Sequence, residues 1–395
     1  MANPAPPPTT ATSSGGGTAV LLCLLAVCVS LLGSALVATH PAAAFDAAPL
    51  PDDYTGGTTV PVRERHGHIL GASEAVGEGL LPGPEDLAYD AGSGFLYTGC
   101  DDGWIRRVKL PDPEGEPPSA AEVEEWVRVG GRPLGVAFGP GKQLLVAEAY
   151  KGLLAVAEDG AVRLLADEAE GLPFLLTDGV DVSADGAVYF TDASHKYNLS
   201  VHILDVMEGR PYGRLLRYDP ATDTTAVLLR GLYFANGVAI SPDQSSLVFC
   251  ETVLRRCRRY YIAGEKKGTV ERFLDNLPGF PDNIRYDGEG HFWIGLSAGK
   301  SRSWDVVQRY PWVRKMMAAA LQLHMVHGWL PRLLKGGGVL CASLEGEALA
   351  LYTDPELMLV TGGLKIGKHL YYGSLAGHHI GRIRLDKLAA AAGGR

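Results

Sequence analysis

The chain has 395 residues and carries 45 acidic against 36 basic side chains, a formal charge of −9. That balance argues against nucleic acid as the partner. Its 50 glycines and 25 prolines suit an architecture with many tight turns, and the length allows one large β-fold or two smaller domains.

Residues 1–18 are dominated by Pro, Thr, Ser, Ala and Gly without a charge, and are expected to be disordered. Residues 19–38, AVLLCLLAVCVSLLGSALVA, form an uninterrupted apolar run long enough to cross a bilayer as a helix. Ala42, Ala43 and Ala44 then offer small residues at a cleavable site, so residues 19–44 read as a signal peptide or a membrane anchor. Either sends the rest of the chain into the endomembrane system: the endoplasmic reticulum lumen or membrane, the vacuole, or the exterior. Residues 45–67 read as a linker, and a single domain is expected over 68–395.

Within that domain one unit recurs: a turn with a polar residue, a short apolar strand, a Gly/Asp turn, an aromatic-rich strand and a third strand. The copies begin PEDLAYD, PLGVAFG, TDGVDVS, ANGVAIS, PDNIRYD and GGLKIGK. Each follows a further β-like stretch, giving four strands per unit and six units, the signature of an all-β, six-bladed β-propeller. The last copy has three strands before the chain ends, and ASEAVGEGL, ahead of the first copy, can supply the fourth and close the ring. Two copies carry insertions. Residues 195–213 extend the third blade, and residues 303–338 extend the fifth with a predicted helix over 313–323. The fifth-blade insertion combines Trp304, Trp312 and Trp329 with Arg309, Arg314, Lys315, Arg332 and Lys335. It fits a lid, a membrane-contacting helix or packed decoration. Cys250 and Cys257 flank a predicted hairpin turn, where they pair or stay reduced. Asn198, in Asn-Leu-Ser, is a glycosylation acceptor in a polar stretch.

Aligning the copies gives one equivalent position just before each inner strand, occupied by Glu85, Leu134, Asp178, Asn236, Asp282 and Gly362. In a propeller these loops open onto one face of the central channel, so all six residues ring one axis. Converging carboxylate and amide oxygens without Cys or His suit a hard cation, and calcium tolerates such irregular geometry best.

The motifs GPEDLAYD, DGWIRRV, GRLLRYDP, FANGVAISPD, GTVERFLDNLPGFPDNIRYDGEGHFWIGL and HLYYGSL resemble plant strictosidine synthase-like proteins. These are relatives of the adipocyte plasma membrane-associated protein in the wider paraoxonase and gluconolactonase group of six-bladed propellers. The resemblance covers about 72–385. It implies a calcium ion at the channel mouth, on Glu85, Asp178, Asn236, Asp282 and Asn283, that polarises an ester or lactone carbonyl. At position 178 the paraoxonases have Asn where this chain has Asp.

The resemblance breaks where catalysis would need a proton carrier. Strictosidine synthase uses a glutamate whose place here aligns with Met358, while Glu356, two residues away, would share its face on a strand. The cysteine pair of that enzyme's second blade is missing. Paraoxonases use a histidine after the second strand of their second blade, where this chain reads LLVAEAYKG. The loops on the metal face present Asp101, Glu148, Asp192, His195, Glu251 and His378, of which Glu148 and Glu251 are the candidate bases.

The sequence thus points to a calcium-dependent hydrolase of esters or lactones. The rivals are an amine–aldehyde condensing enzyme of strictosidine synthase type and a non-catalytic binding propeller with structural calcium. The expected partners are a small ester, lactone or alkaloid-like molecule, and a membrane through the N-terminal apolar segment.

Overall fold

The repeated unit folds as the sequence dictates: short apolar strands broken by Gly-, Pro- and Asp-rich turns pair with their immediate neighbours. In the computed structural model, which describes residues 45–54, 58–110, 122–322 and 334–386, six sheets are arranged as the blades of a propeller. The second blade is typical. Pro133–Phe138, Leu144–Glu148, Gly152–Val156 and Val162–Ala166 form an antiparallel meander. Its first three strands are almost wholly buried and its fourth is largely exposed, so burial falls from channel to rim. The inner strands of the other blades are Leu87–Asp90, Thr177–Val182, Ala235–Ile240, Gly279–Tyr286 and Val360–Ile366.

Six apolar layers hold the ring, one between each pair of neighbouring blades. Between the second and third, for example, Leu145, Ala147 and Leu153 meet Val180, Phe190 and Leu216. The ring closes as expected. Glu74–Val76 pairs antiparallel with Ile380–Arg384 as the outer strand of the sixth blade. A strand not anticipated, Glu64–His66, adds in parallel to Ala348–Thr353 of the fifth blade, where His66 stacks on Tyr352. Cys250 and Cys257 face each other on adjacent strands of the fourth blade and are joined by a disulfide.

The two insertions fold into helices that pack together over one end of the channel. Helix α1 (His202–Glu208) comes from the third blade; α2 (Arg302–Arg309) and α3 (Pro311–Gln322) come from the fifth. Ser301 caps α2 by accepting a hydrogen bond from Trp304 N at 3.2 Å. Met207, Trp304, Val307, Ala318 and Leu321 form the cap's own apolar core on Phe280 and Ala298 of the propeller. Arg314 of α3, buried, donates to the carbonyls of Met207 and Glu208 at 3.2 and 3.0 Å, satisfying the end of α1. Residues 45–54, read as linker, run across this cap: Ala48 N donates to Glu208 O at 2.9 Å, and Asp46 pairs with Arg210 and Lys315. The apolar run 19–38 and the insertion residues Trp329 and Arg332 lie outside the described residues. Among the described residues no helix is long and apolar enough to cross a membrane.

At the axis the blades touch through glycine. A Cβ on Gly135 would sit 2.4 Å from Asp178 O, one on Gly179 2.7 Å from Asn236 O, and one on Gly237 2.7 Å from Asp282 O. A methyl group there has nowhere to go, because each obstacle is the neighbouring backbone. Gly237→Ala is therefore expected to cost about 1–3 kcal/mol, whereas Gly141→Ala, with nothing within 4 Å, should stay within ~0.5 kcal/mol of wild type. Urea unfolding of the two variants checks this, and equal stability would contradict the close approach.

Candidate metal centre

Four of the six equivalent positions present an oxygen to the channel, and the backbone explains how. In the third, fourth and fifth blades the pairing register slips between Thr177 and Val180, Ala235 and Val238, and Pro281 and Ile284. Each slip is a bulge spanning the critical residue and its successor, and a bulge re-aims side chains that regular pairing would send into the sheet. Thr191 locks two of these bulges together: its Oγ accepts from Gly179 N at 2.9 Å and donates to Asn236 O at 2.8 Å. In the first blade, where the pairing does not slip, Thr361 of the sixth blade donates to Glu85 O at 2.7 Å.

The result is a cluster in which carboxylate oxygens of Glu85, Asp178 and Asp282 all lie within 4.8 Å of one another, and all three residues are buried. The Asn236 amide lies beside Asp282 and lowers its pKa, against the larger upward push of burial. Asn283 Nδ2 donates to Glu85 Oε1 at 2.7 Å and so fixes that carboxylate's orientation. Asp86, one residue beyond Glu85, faces down the channel. It accepts from Val136 N at 2.9 Å and pairs with Arg285, which also donates to Val136 O and Val180 O. Arg285 therefore neutralises Asp86, and among the described residues no basic side chain forms an ion pair with the three clustered carboxylates.

Burial, reinforced by neighbouring carboxylates, drives Glu85 and Asp178 well above the usual carboxylate range and Asp282 up to about 7. Two buried oxygens, Glu85 Oε2 and Asn236 Oδ1, have no hydrogen-bond partner. Unpartnered buried acceptors and three convergent carboxylates fit a hard cation, whose charge and coordination would satisfy both defects.

The cluster forms the floor of a cavity of about 660 Å³ whose lining is overwhelmingly apolar. Leu134, Leu176, Phe234 and Leu375 rise from the propeller, while Ile203, Trp304 and Leu321 come down from the cap. His202, at the start of α1, also lines it. Its Nδ1 lies 2.6 Å from Leu199 O. A carbonyl can only accept, so Nδ1 carries the proton and Nε2 keeps its lone pair. Burial lowers the imidazole pKa below its ordinary 6.5. The sequence reading missed His202 because it lies in an insertion, out of register with the repeat. The one available signal was a histidine within the third-blade insertion.

The rim residues expected to supply a base are engaged elsewhere. Glu148 accepts from the backbone of Arg132, Tyr150 and Lys151, and Glu251 accepts from Tyr233 N at 2.9 Å and from Arg256. Both brace turns, and neither is among the described residues lining the cavity. Asp192 is held by Arg214 at 2.7 Å, His195 by Tyr212 O at 2.6 Å, and Asp101 and His378 are exposed. Glu356 points to solvent and pairs with Lys335, so it does not substitute for the glutamate missing at Met358. Asn198 is half-buried beside Leu199 and Ser200 of the cavity lip.

Comparison with known proteins agrees with this architecture. The profile described as strictosidine synthase matches residues 178–265, and that described as strictosidine synthase-like, N-terminal, matches 69–108. Strictosidine synthase-like protein 6 of Arabidopsis thaliana is 49% identical over 82% of this chain and 84% of its own length. The human adipocyte plasma membrane-associated protein is 35% identical over 80% of this chain and 79% of its own. The chain belongs to the strictosidine synthase-like family of six-bladed propellers. Among solved structures, a gluconolactonase from Xanthomonas campestris superposes with a TM-score of 0.55 at 15% identity, over 83% of this chain and 97% of that one. Regucalcin of Agrobacterium tumefaciens, a calcium-binding protein, gives 0.53 at 17% identity, over 83% and 92%. At such identities the likeness concerns the fold.

A carboxyl whose folded pKa exceeds its unfolded value binds more protons folded than unfolded, so stability falls as pH rises between the two. For Asp282 that interval runs from 3.8 to about 7. The metal-free chain is therefore expected to lose ~1 kcal/mol or more between about pH 5 and 7.5. Asp282→Asn should shrink that loss, and a divalent cation should offset it. Thermal denaturation at several pH values checks this; a metal-free chain whose pH dependence is unchanged by Asp282→Asn would contradict it.

Proposed function

We propose that the protein is a hydrolase of esters or lactones in the secretory pathway, working with a calcium ion at the channel mouth. The observation that carries this reading is that the convergent, unsatisfied oxygens of Glu85, Asp178, Asn236 and Asp282 form the floor of an apolar, half-enclosed cavity. All four donors are hard oxygens from four different blades, an irregular set that suits calcium better than smaller or softer ions. The calcium-binding of regucalcin and the lactonase named among the structural neighbours lend support by analogy of fold. The apolar run 19–38 supports the endoplasmic reticulum, vacuole or exterior as location.

When bound, the cation would polarise a substrate carbonyl and stabilise the negative charge that develops on its oxygen. Glu85, Asp178, Asn236 and Asp282 would hold it, and Asn283, expected as a fifth ligand, would keep Glu85 aimed at it through its amide nitrogen. The apolar walls take up the hydrophobic part of the substrate and exclude bulk water, so the polar group is presented to the floor. His202, neutral at pH 7 with Nε2 free to accept, takes the proton from the attacking water. Its Nδ1–Leu199 O hydrogen bond holds the tautomer that this requires. The condensing-enzyme alternative lacks support, because Met358 cannot transfer protons and Glu356 is turned to solvent.

Purified protein is expected to hydrolyse aryl esters or lactones with calcium and to lose that activity on complete chelation; activity that survives chelation contradicts the metal's role. Asn236→Ala should lower calcium occupancy, measured by equilibrium dialysis. His202→Gln should leave occupancy intact while lowering kcat about 10²–10⁴-fold. In the wild type kcat/KM should rise with pH through a pKa below 6.5. Undiminished activity of His202→Gln would remove the base, and absence of any hydrolysis with calcium bound would leave a binding propeller.

A further inference from the structure

The cap carries an apolar surface that neither the cavity nor the metal cluster uses. Val306, Tyr310, Trp312 and Met316 are 50, 40, 61 and 38% exposed, and they make up four of the ten large exposed hydrophobics among the described residues. They are contiguous. Tyr310 ends α2 with its N–H donating to Val306 O, Trp312 and Met316 are one helical turn apart along α3, and the Tyr310 and Trp312 rings lie 6.2 Å apart where the helices meet. Arg302, Arg309 and Lys315 are exposed around them. The opposite faces of the same helices are the cap core, with Trp304, Val307, Ala318 and Leu321 buried. The fold is thus satisfied without the outer stripe. Aromatic and aliphatic side chains ringed by Arg and Lys are the composition of a helix face lying at a lipid–water interface.

The path of the chain points the same way. Phe45 packs into the cap core, Asp46 pairs with Arg210 and Lys315 beside the stripe, and Ala48 is bonded to α1 and Arg314. Upstream lies the uninterrupted apolar run 19–38, long enough to cross a bilayer. Only residues 39–44 separate that run from Phe45, a tether of at most ~25 Å fully extended. A bilayer that holds the run therefore lies at the cap, not at the opposite face of the propeller.

We propose that the cap helices dock on the surface of a lipid bilayer, with Tyr310, Trp312, Val306 and Met316 inserted at the acyl–headgroup boundary and Arg302, Arg309 and Lys315 at the headgroups. Docking sets the propeller cap-down, so that the apolar cavity beneath the cap lies next to lipid and can be filled from the membrane phase. This holds independently of any catalysis in the cavity.

The test uses the full chain reconstituted in nanodiscs of phosphatidylcholine and phosphatidylserine, with lipids brominated near the headgroup as quenchers of tryptophan fluorescence. Docking predicts that Trp312→Phe lowers the quenchable component at least ~2-fold. Trp126→Phe, on the outer strand of the first blade, should leave it unchanged. Val306→Glu with Met316→Glu, both at exposed sites that the fold does not need, should abolish quenching of Trp312 while the thermal transition stays in place. Quenching that Trp312→Phe does not alter would overturn the proposal, because it describes a chain tethered by its N-terminal segment with the cap clear of lipid. Quenching lost equally on Trp126→Phe would overturn it too, by placing the rim of the propeller on the membrane.

Discussion

Three buried carboxylates within 4.8 Å of one another set the terms for the rest of the molecule. At an effective dielectric constant near 20, each ionised pair at that distance repels by roughly 3–4 kcal/mol. Burial first, and neighbouring carboxylates second, push Glu85, Asp178 and Asp282 upward in pKa, so without a cation the chain answers by holding protons. With one, the same oxygens become a bond between blades. Glu85 belongs to the first blade, Asp178 to the third, Asn236 to the fourth and Asp282 to the fifth. A cation there would add to the contacts that already cross between blades, the Thr191, Thr361 and Asn283 hydrogen bonds and the Arg285–Asp86 pair. The glycines at 135, 179 and 237 and the bulges beside them serve this geometry, since they let the inner strands come near enough for these oxygens to converge.

The cap encloses that carboxylate cluster at the foot of an apolar chamber. An uncapped channel mouth would leave the cluster open to water, where an ester carbonyl competes poorly for a hard cation. Helices α1, α2 and α3 instead cover it with Leu, Ile, Val and Trp side chains, and among the described residues His202 is the titratable group that the cap helices bring to the lining. One polar pole in an apolar cavity selects ligands of matching form: a hydrophobic body with one oxygen-bearing group. The segment 45–54 is bound into the same assembly, so the geometry of the chamber and the entry path of the chain are coupled.

Much of this was legible in the sequence, for reasons particular to repeats. The column Glu85, Leu134, Asp178, Asn236, Asp282, Gly362 emerged from register alone, because a propeller places equivalent residues of every blade around one axis. The closure by Glu74–Val76 followed from counting strands. What register could not reveal lay outside the repeat or depended on backbone amides. His202 sits in an insertion with no counterpart in other blades. Glu148 and Glu251 occupy the right loop, but the amides of Arg132, Tyr150, Lys151 and Tyr233 converge on them and take them out of the cavity. Their residue type could not announce that. Spacing alone left Cys250 and Cys257 open, and the parallel addition of Glu64–His66 carries no sequence pattern beyond three residues.

The most direct test of the account is an anomalous diffraction measurement on crystals grown with calcium and then with a lanthanide in its place. The account predicts one strong peak on the channel axis, coordinated by oxygens of Glu85, Asp178, Asn236 and Asp282. A channel mouth without a peak at saturating calcium, its carboxylates bridged instead by protons and water, would contradict it.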